Sequence, residues 1–317
     1  MPVDNVRFSI ITPSYNQGMY LEETIKSILS QEGTFFIDYI IVDGGSRDNS
    51  IEVIKKYESL LQRGAWPVGC RGIRYRWISE RDEGQAHAIN KGLAMSDGDI
   101  LAWLNSDDTY APGALQKVSE TFAVTPDCDV LYGEASYIDE SGRTIGRYPT
   151  EPFSFKRLAQ FNFISQPSTF FRKTAVELVG HLDDSLHYSM DYELWIRMAG
   201  KCHFLFLEES LATYRLHEAS KTVSARHALE SSRECLDVVR HYYHWAPINR
   251  VYFYYYQRYL ANMPSLLLKS KPLAIVAAII SASVMYCVMN RGIRREDVAY
   301  SIKNIKKVFH DQHSHRQ

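Results

Sequence analysis

The feature that most restricts this chain is the regular alternation of short apolar runs with helix-length segments over its first 110 residues. RFSIITP, YIIVDGG, IRYRWIS and DILAWLN read as strands. Between them lie LEETIKSILS, IEVIKKYESLL and GQAHAINKGLAM, and in the first of these Leu21, Ile25, Ile28 and Leu29 share one helical face. Strands this short and apolar, separated by helices of about ten residues, imply right-handed crossovers and a mainly parallel sheet. In such sheets ligands bind at the carboxyl ends of the strands. The chain puts polar residues there: Ser14-Tyr15-Asn16 after the first strand, Asp43 after the second, Glu80 to Asp82 after the third, and Asn105 to Asp108 after the fourth.

Beyond Ala111 the pattern changes. VLYGEASYIDESGRTIGRY reads as a hairpin turning at Ser141-Gly142, STFFR and HFLFLEESLATYR as further strands, and helices fall near 173–180 and 191–199. The expectation is a mixed α/β body with antiparallel additions, divided into residues 1–110 and 111–224. Residues 225–317 form a helical, aromatic-rich region with the stretch VYFYYYQRYL.

Charge separates the same two parts. The net charge is −1, but residues 240–317 hold 12 Lys/Arg against 3 Asp/Glu, so they carry +9 and residues 1–239 carry −10. An acidic body with a basic tail points to different partners for each. The five cysteines are scattered, without C-x-x-C spacing, which speaks against a zinc knuckle or disulfide framework and fits a reducing compartment. The N-terminus MPVDNVRFSII lacks the pattern of a signal peptide, so the expected location is cytoplasmic.

The turn after the first strand, TPSYNQG, contains no G-x-G-x-x-G, and G-x-x-x-x-G-K-[ST] occurs nowhere. A phosphate ligand would have to be held by other means, such as a divalent cation. Asp107 and Asp108 supply the hard oxygens that Mg²⁺ or Mn²⁺ prefers. Equally, the pair could cap a helix beginning near Pro112. Asp43 could form a turn or accept hydrogen bonds from a nucleotide base, and Gly44-Gly45 would let backbone approach a ligand.

TPSYNQGMYLEETIKSIL, IIVDGGSRDNS, ISERDEGQAHAINKG and GDILAWLNSDD, in this order and spacing, resemble the family-two glycosyltransferases with the GT-A fold. QPSTFFR, MDYELWIRMA and YRLHEASKT are similar to that family's acceptor-side half, and the likeness covers roughly residues 6–225. The resemblance implies a GT-A-like mixed, mainly parallel sheet flanked by helices. It also implies inverting transfer of a sugar from a nucleotide diphosphate, UDP favoured and dTDP or GDP open, with Mn²⁺ or Mg²⁺ as cofactor. The implied donor site comprises Thr12, Pro13, Ser14, Tyr15, Asn16, Asp43, Gly44, Asp82, Gln85, Asn90, Lys91, Asn105, Ser106 and Asp108. Asp107 would be the principal metal ligand, with Asp108 beside it and His217 near the metal or diphosphate. Arg215 and Lys221 would be diphosphate neighbours, and Gln166, Tyr192 and Glu193 would lie on the acceptor side. Inversion in one displacement needs a base, and Asp191 matches the family's position for it, although Asp191 could also simply cap its helix. The family's commonest pattern has an aspartate where this chain has Asn105.

The implied partners are a nucleotide-sugar and a saccharide or lipid-linked saccharide, with no nucleic acid; a homo-oligomer is compatible with the sequence. Rival readings are sugar-phosphate nucleotidyl transfer, for which TPSYNQG lacks the Gly-rich basic loop, and a silent binding protein of the same fold. Leu273–Met289 gives 17 mostly apolar residues flanked by Lys269, Lys271, Arg291, Arg294 and Arg295. This is borderline for a span. A buried hairpin helix, an oligomer contact, or peripheral association of residues 240–317 with an anionic inner leaflet are the alternatives, and the charge count favours the last.

Overall fold

A computed structural model of the protein describes residues 6–217, 227–262, 271–294 and 297. The chain divides into two compact units, residues 1–158 with 162–223 and residues 159–161 with 224–317.

The first unit opens with β1 (Arg7–Ser14), α1 (Gly18–Leu29), β2 (Phe36–Asp43), α2 (Ser50–Gln62), β3 (Gly72–Ser79), α3 (Gln85–Met95) and β4 (Ile100–Trp103). β1 pairs in parallel with β2 and β4, and β2 with β3. β1 and β2 are buried from their second residue onward, which is why they read as continuous apolar runs rather than alternating ones. The four expected α1 residues are all buried in the core beneath this half of the sheet. β3 lies at the edge, where Arg74 and Arg76 reach the buried Asp38 of β2 at 2.8 and 2.6 Å.

The chain continues through β5 (Thr109–Tyr110), α4 (Ala114–Val124), β6 (Val130–Ile138), β7 (Thr144–Arg147), α5 (Phe155–Gln160), a 3-10 turn at Gln166–Ser168, β8 (Thr169–Arg172), α6 (Lys173–Val179), α7 (Met190–Ala199) and β9 (Phe204–Arg215). The hairpin β6–β7 turns at Ser141-Gly142, where Gly142 has φ +81° and the Asp139 carboxylate accepts from the Ser141 and Arg143 amides. The strand order β3-β2-β1-β4-β8-β6-β9-β5, with β7 on β6, makes one sheet of both predicted halves. β8 joins them, pairing antiparallel with β4 on one side and β6 on the other. The long β9 runs parallel to β6 and antiparallel to β5, so its end returns beside the segment that follows β4. α5 and the 3-10 turn were not expected from the sequence, because neither is long enough to show a periodic apolar face.

The second unit contains α8 (Ala228–Tyr243), α9 (Ile248–Asn262) and α10 (Lys271–Asn290). Leu236, Ala246, Val251, Tyr255, Ala278 and Ala282 form its buried centre. Among the described residues no helix is long and apolar enough to cross a membrane. Lys221, Lys269 and Arg295 lie outside the described residues.

Candidate active site

At the carboxyl ends of β1 and β4 lies a cavity of about 450 Å³. Its wall includes Pro13, Ser14 and Tyr15 from the end of β1, Asp82 after β3, Gln85 at the start of α3, and Asn105 to Asp108 after β4. Gln166 of the 3-10 turn and Asp191 in the first turn of α7 complete the group. With Tyr214 and Arg215 of β9, residues separated by up to 202 positions therefore face one space.

The aspartate pair does not cap the next helix. The N-cap of α4 is Gly113, held in the left-handed region at φ +74°, with no side-chain cap. Instead the turn after β4 is fastened from several directions. The Thr24 hydroxyl donates to the Asp108 carbonyl (2.7 Å), and the Arg215 amide donates to the Asp108 carboxylate (2.9 Å). Asn105 donates to Asp108 (3.2 Å) and to Gln166 Oε1 (3.0 Å), while accepting from Gln85 (2.7 Å). Gln166 in turn donates to the Trp103 carbonyl at 2.7 Å. Burial, then the charge of neighbouring Asp107, pushes the Asp108 carboxyl well above its usual range. His217 Nε2 sits 2.9 Å from Asp107 Oδ2.

Adjacent carboxylates on a cavity wall, one disfavoured in its charged form by the other, are a donor set that fits a hard divalent cation. Among the described residues, no three His, Cys, Asp or Glu side chains form a complete cation cage. Mg²⁺ sites beside phosphates need only one or two carboxylates, with substrate oxygens completing the shell.

Arg215 braces this arrangement from below. Its buried guanidinium donates to the carbonyls of Asp107 (2.9 Å), Asp139 (3.1 Å) and Glu140 (3.2 Å), pairs with Glu23, and lies 4.8 Å from the centre of the Tyr20 ring. Arg215→Met would orphan three carbonyls and remove the buried cation beside two aspartates. The expected loss is about 3 kcal/mol of stability, read from the denaturant midpoint.

Asp191 is positioned by packing. α7 presses Trp195 onto Trp103 of β4, with ring centres 5.3 Å apart and planes 15° from parallel, and Phe171 lies 6.0 Å from both. The indole stack joins the helix that carries Asp191 to the strand that leads into Asn105–Asp108. The helix begins at the N-cap Ser189, so Asp191 sits in the first turn, where the helix dipole favours a negative group.

Several expected site residues do not line the cavity. Thr12 is buried in β1 and accepts from the Tyr39 hydroxyl. Asn16, at φ +52°, accepts from the Arg47 amide. The fully buried Asp43 carboxylate accepts from the Gly45 and Ser46 amides and the Ser46 and Ser79 hydroxyls, which fixes the turn after β2. Asn90 bonds the Leu182 backbone and Asp184, and Lys91 pairs with Glu80 at 2.6 Å. Tyr192 donates inward to the Leu158 carbonyl, and Glu193 forms a two-pronged pair with Arg197 at 2.7 and 2.8 Å. His217 does not line the cavity, and its Nε2 lies 2.9 Å from Asp107 Oδ2, which does.

Gly44 acts through a neighbour. A Cβ there would stand 2.6 Å from Asp82 Oδ2, so the missing side chain lets Asp82 pack against the turn. Gly44→Ala is expected to displace Asp82 and weaken ligand binding in the cavity about ten-fold, about 1.4 kcal/mol, in calorimetric titration. Sequence reasoning missed Gln17, Trp103, His187, Tyr188 and Tyr214 as lining residues. Gln17, Trp103 and Tyr214 already lie inside the motifs TPSYNQG, GDILAWLNSDD and YRLHEASKT. His187 and Tyr188 stand just before MDYELW, so the motifs marked the segments but not these members.

Residues 9–179, just over half of the chain, match Glycosyl transferase family 2. The chain belongs to this family. An uncharacterised glycosyltransferase of Methanocaldococcus jannaschii is 28% identical to this family-2 glycosyltransferase over 220 residues, which is 68% of this chain and 72% of the relative. One from Mycobacterium tuberculosis is 30% identical over 201 residues, 61% of this chain and 69% of the relative. Among solved structures, S. aureus TarS 1–349 in complex with UDP-GlcNAc superposes with a TM-score of 0.57 at 14% identity, covering 90% of this chain and 84% of that one. The mannosyltransferase PcManGT from Pyrobaculum calidifontis, in complex with GDP-Man and Mn²⁺, also gives 0.57, at 12% identity, covering 96% and 81%. At such identities the likeness concerns the fold, and that fold is GT-A.

Proposed function

We propose that this family-2 glycosyltransferase moves a sugar, with inversion, from a nucleotide diphosphate to a hydroxyl of a saccharide or lipid-linked saccharide. Residues 1–224 act as the catalytic domain. A UDP-sugar is the favoured donor. The observation that carries the reading is the meeting of Asp82, Asp107, Asp108 and Asp191 in one cavity at the strand ends. Further support comes from solved neighbours, TarS with UDP-GlcNAc and PcManGT with GDP-Man and Mn²⁺.

In this reading the loop Pro13–Tyr15 and Asp82 hold the nucleoside, and Asp107 with Asp108 holds the divalent cation. When bound, that cation supplies Lewis-acid neutralisation of the charge that develops on the departing diphosphate. The Asn105–Gln85–Gln166 hydrogen bonds keep the Asp108 carboxylate in register. Asp191 takes the proton from the acceptor hydroxyl as it attacks the anomeric carbon opposite the diphosphate. The stack of Trp195 on Trp103 maintains the spacing between that base and the cation ligands.

Thermal-shift screening of nucleotide sugars, with and without Mn²⁺, tests the reading. A true donor at a hundred times its Kd adds about 2.7 kcal/mol of stability. The expected result is stabilisation by one nucleotide class that depends on the cation. If no nucleotide sugar stabilises the protein under either condition, the donor assignment fails.

A further inference from the structure

We propose that the outward face of α10 docks on an anionic lipid bilayer, with the helix lying along the surface. Along one side of α10, Ala278 and Ala282 are buried against α9, Tyr286 is buried as well, and the Tyr259 hydroxyl meets that of Ser281 at 2.7 Å. At the end of α10 the Asn290 amide exchanges two hydrogen bonds with the Ala246 backbone, both 2.9 Å. This side of the helix is thereby accounted for within its own unit. The opposite side carries Val276, Ile280, Val284 and Val288 at four-residue spacing, and they are 53, 61, 58 and 64% exposed. Leu273 and Ile279 extend the same patch.

A row of aliphatic side chains in contact with water is far more than the scattered exposed apolar residues of an ordinary surface, and it marks an interaction face. Charge identifies the occupant. No charged residue occurs between Lys271 and Arg291, so the patch itself is uncharged and basic residues stand at both of its ends. In the sequence, residues 240–317 carry +9. Pairing this face with a second copy would bring two such regions together, and like charges oppose that contact. An anionic leaflet reverses the sign, so that basic residues near the surface add attraction. Aliphatic side chains enter the headgroup boundary while basic residues at both helix ends remain at the phosphates, which favours a helix lying in the surface plane. The proposal does not depend on which sugar the cavity takes.

Co-flotation of the full chain with vesicles tests it. Wild type is expected to float with vesicles containing about one-third anionic lipid at low salt, and to be released at high salt or on purely zwitterionic vesicles. Ile280→Glu with Val284→Glu is expected to lower the bound fraction about ten-fold or more. Val276→Gln with Val288→Gln, near the two ends of the row, serves if the glutamate pair lowers the melting temperature. Equal flotation of wild type and both variants would overturn the proposal, as would equal binding to neutral vesicles. Sedimentation velocity supplies the remaining outcome. If wild type is a dimer that ignores vesicles and the variants are monomers, the face belongs to a second copy and the bilayer assignment is wrong.

Discussion

Asp191→Asn is expected to lower sugar transfer by about 10²- to 10⁴-fold, the usual contribution of a positioned general base. Asparagine keeps the size of the side chain and its place in the first turn of α7, but it cannot take a proton. α7 itself is held by the stack of Trp195 on Trp103, with Phe171 beside both, and those contacts are untouched. Donor affinity should therefore remain near that of wild type, and the loss should fall on kcat. Initial rates with a saturating donor, paired with calorimetric titration of the donor, separate the two effects. Transfer within a few-fold of wild type would show that the acceptor proton goes elsewhere.

The second large effect is expected from Asp107→Ala. Removing the more accessible of the paired carboxylates should abolish cation-dependent stabilisation by nucleotide sugars and reduce transfer by about 10³-fold, equivalent to several kcal/mol of charge stabilisation. The metal-free protein supplies an internal control. Asp107's charge is one cause of the raised Asp108 carboxyl, second to burial. A native aspartate with a raised pKa keeps its proton at pH values where the unfolded chain has released it. Native stability is therefore lost as pH rises from the unfolded value to the folded one. Asp107→Ala narrows that window, so the pH profile of the metal-free melting temperature should flatten while donor-dependent stabilisation disappears. A variant that melts early at every pH and binds no donor would instead report a folding defect, and the metal-ligand role would need another probe.

How much of this was legible from the chain differs from residue to residue. β1 and β2 could be read directly, because a strand covered on both faces must be apolar at nearly every position. α1 could be read because Leu21, Ile25, Ile28 and Leu29 fall on one side of a helix. The location of the site at the strand ends followed from the same alternation, since parallel strands all deliver their polar ends to one edge. Asp43 was less legible. As a polar residue at a strand end it suits ligand contact, yet its carboxylate is occupied by four donors within its own turn and with Ser79. Glu193 is similar: Asp191, two residues earlier, faces the cavity, whereas Glu193 is directed to Arg197 one helical turn later. Neighbouring residues on a helix point about 100° apart, so a motif identifies the segment but not which of its members face the ligand.

The local code of this chain therefore determined which segments are strands and helices, that they assemble into a mainly parallel sheet, and that Asp107 and Asp108 lie at the carboxyl edge of its strands. Periodicity and burial are properties of consecutive residues, and a reader of the chain has them in full. Only the tertiary structure decided that β9 returns beside β5, bringing Arg215 and His217 under an aspartate pair more than a hundred residues earlier, and that the indole stack carries Asp191 to the same cavity. Such meetings depend on how the sheet and its helices close upon one another, and that closure is fixed by contacts between distant residues that no single stretch contains.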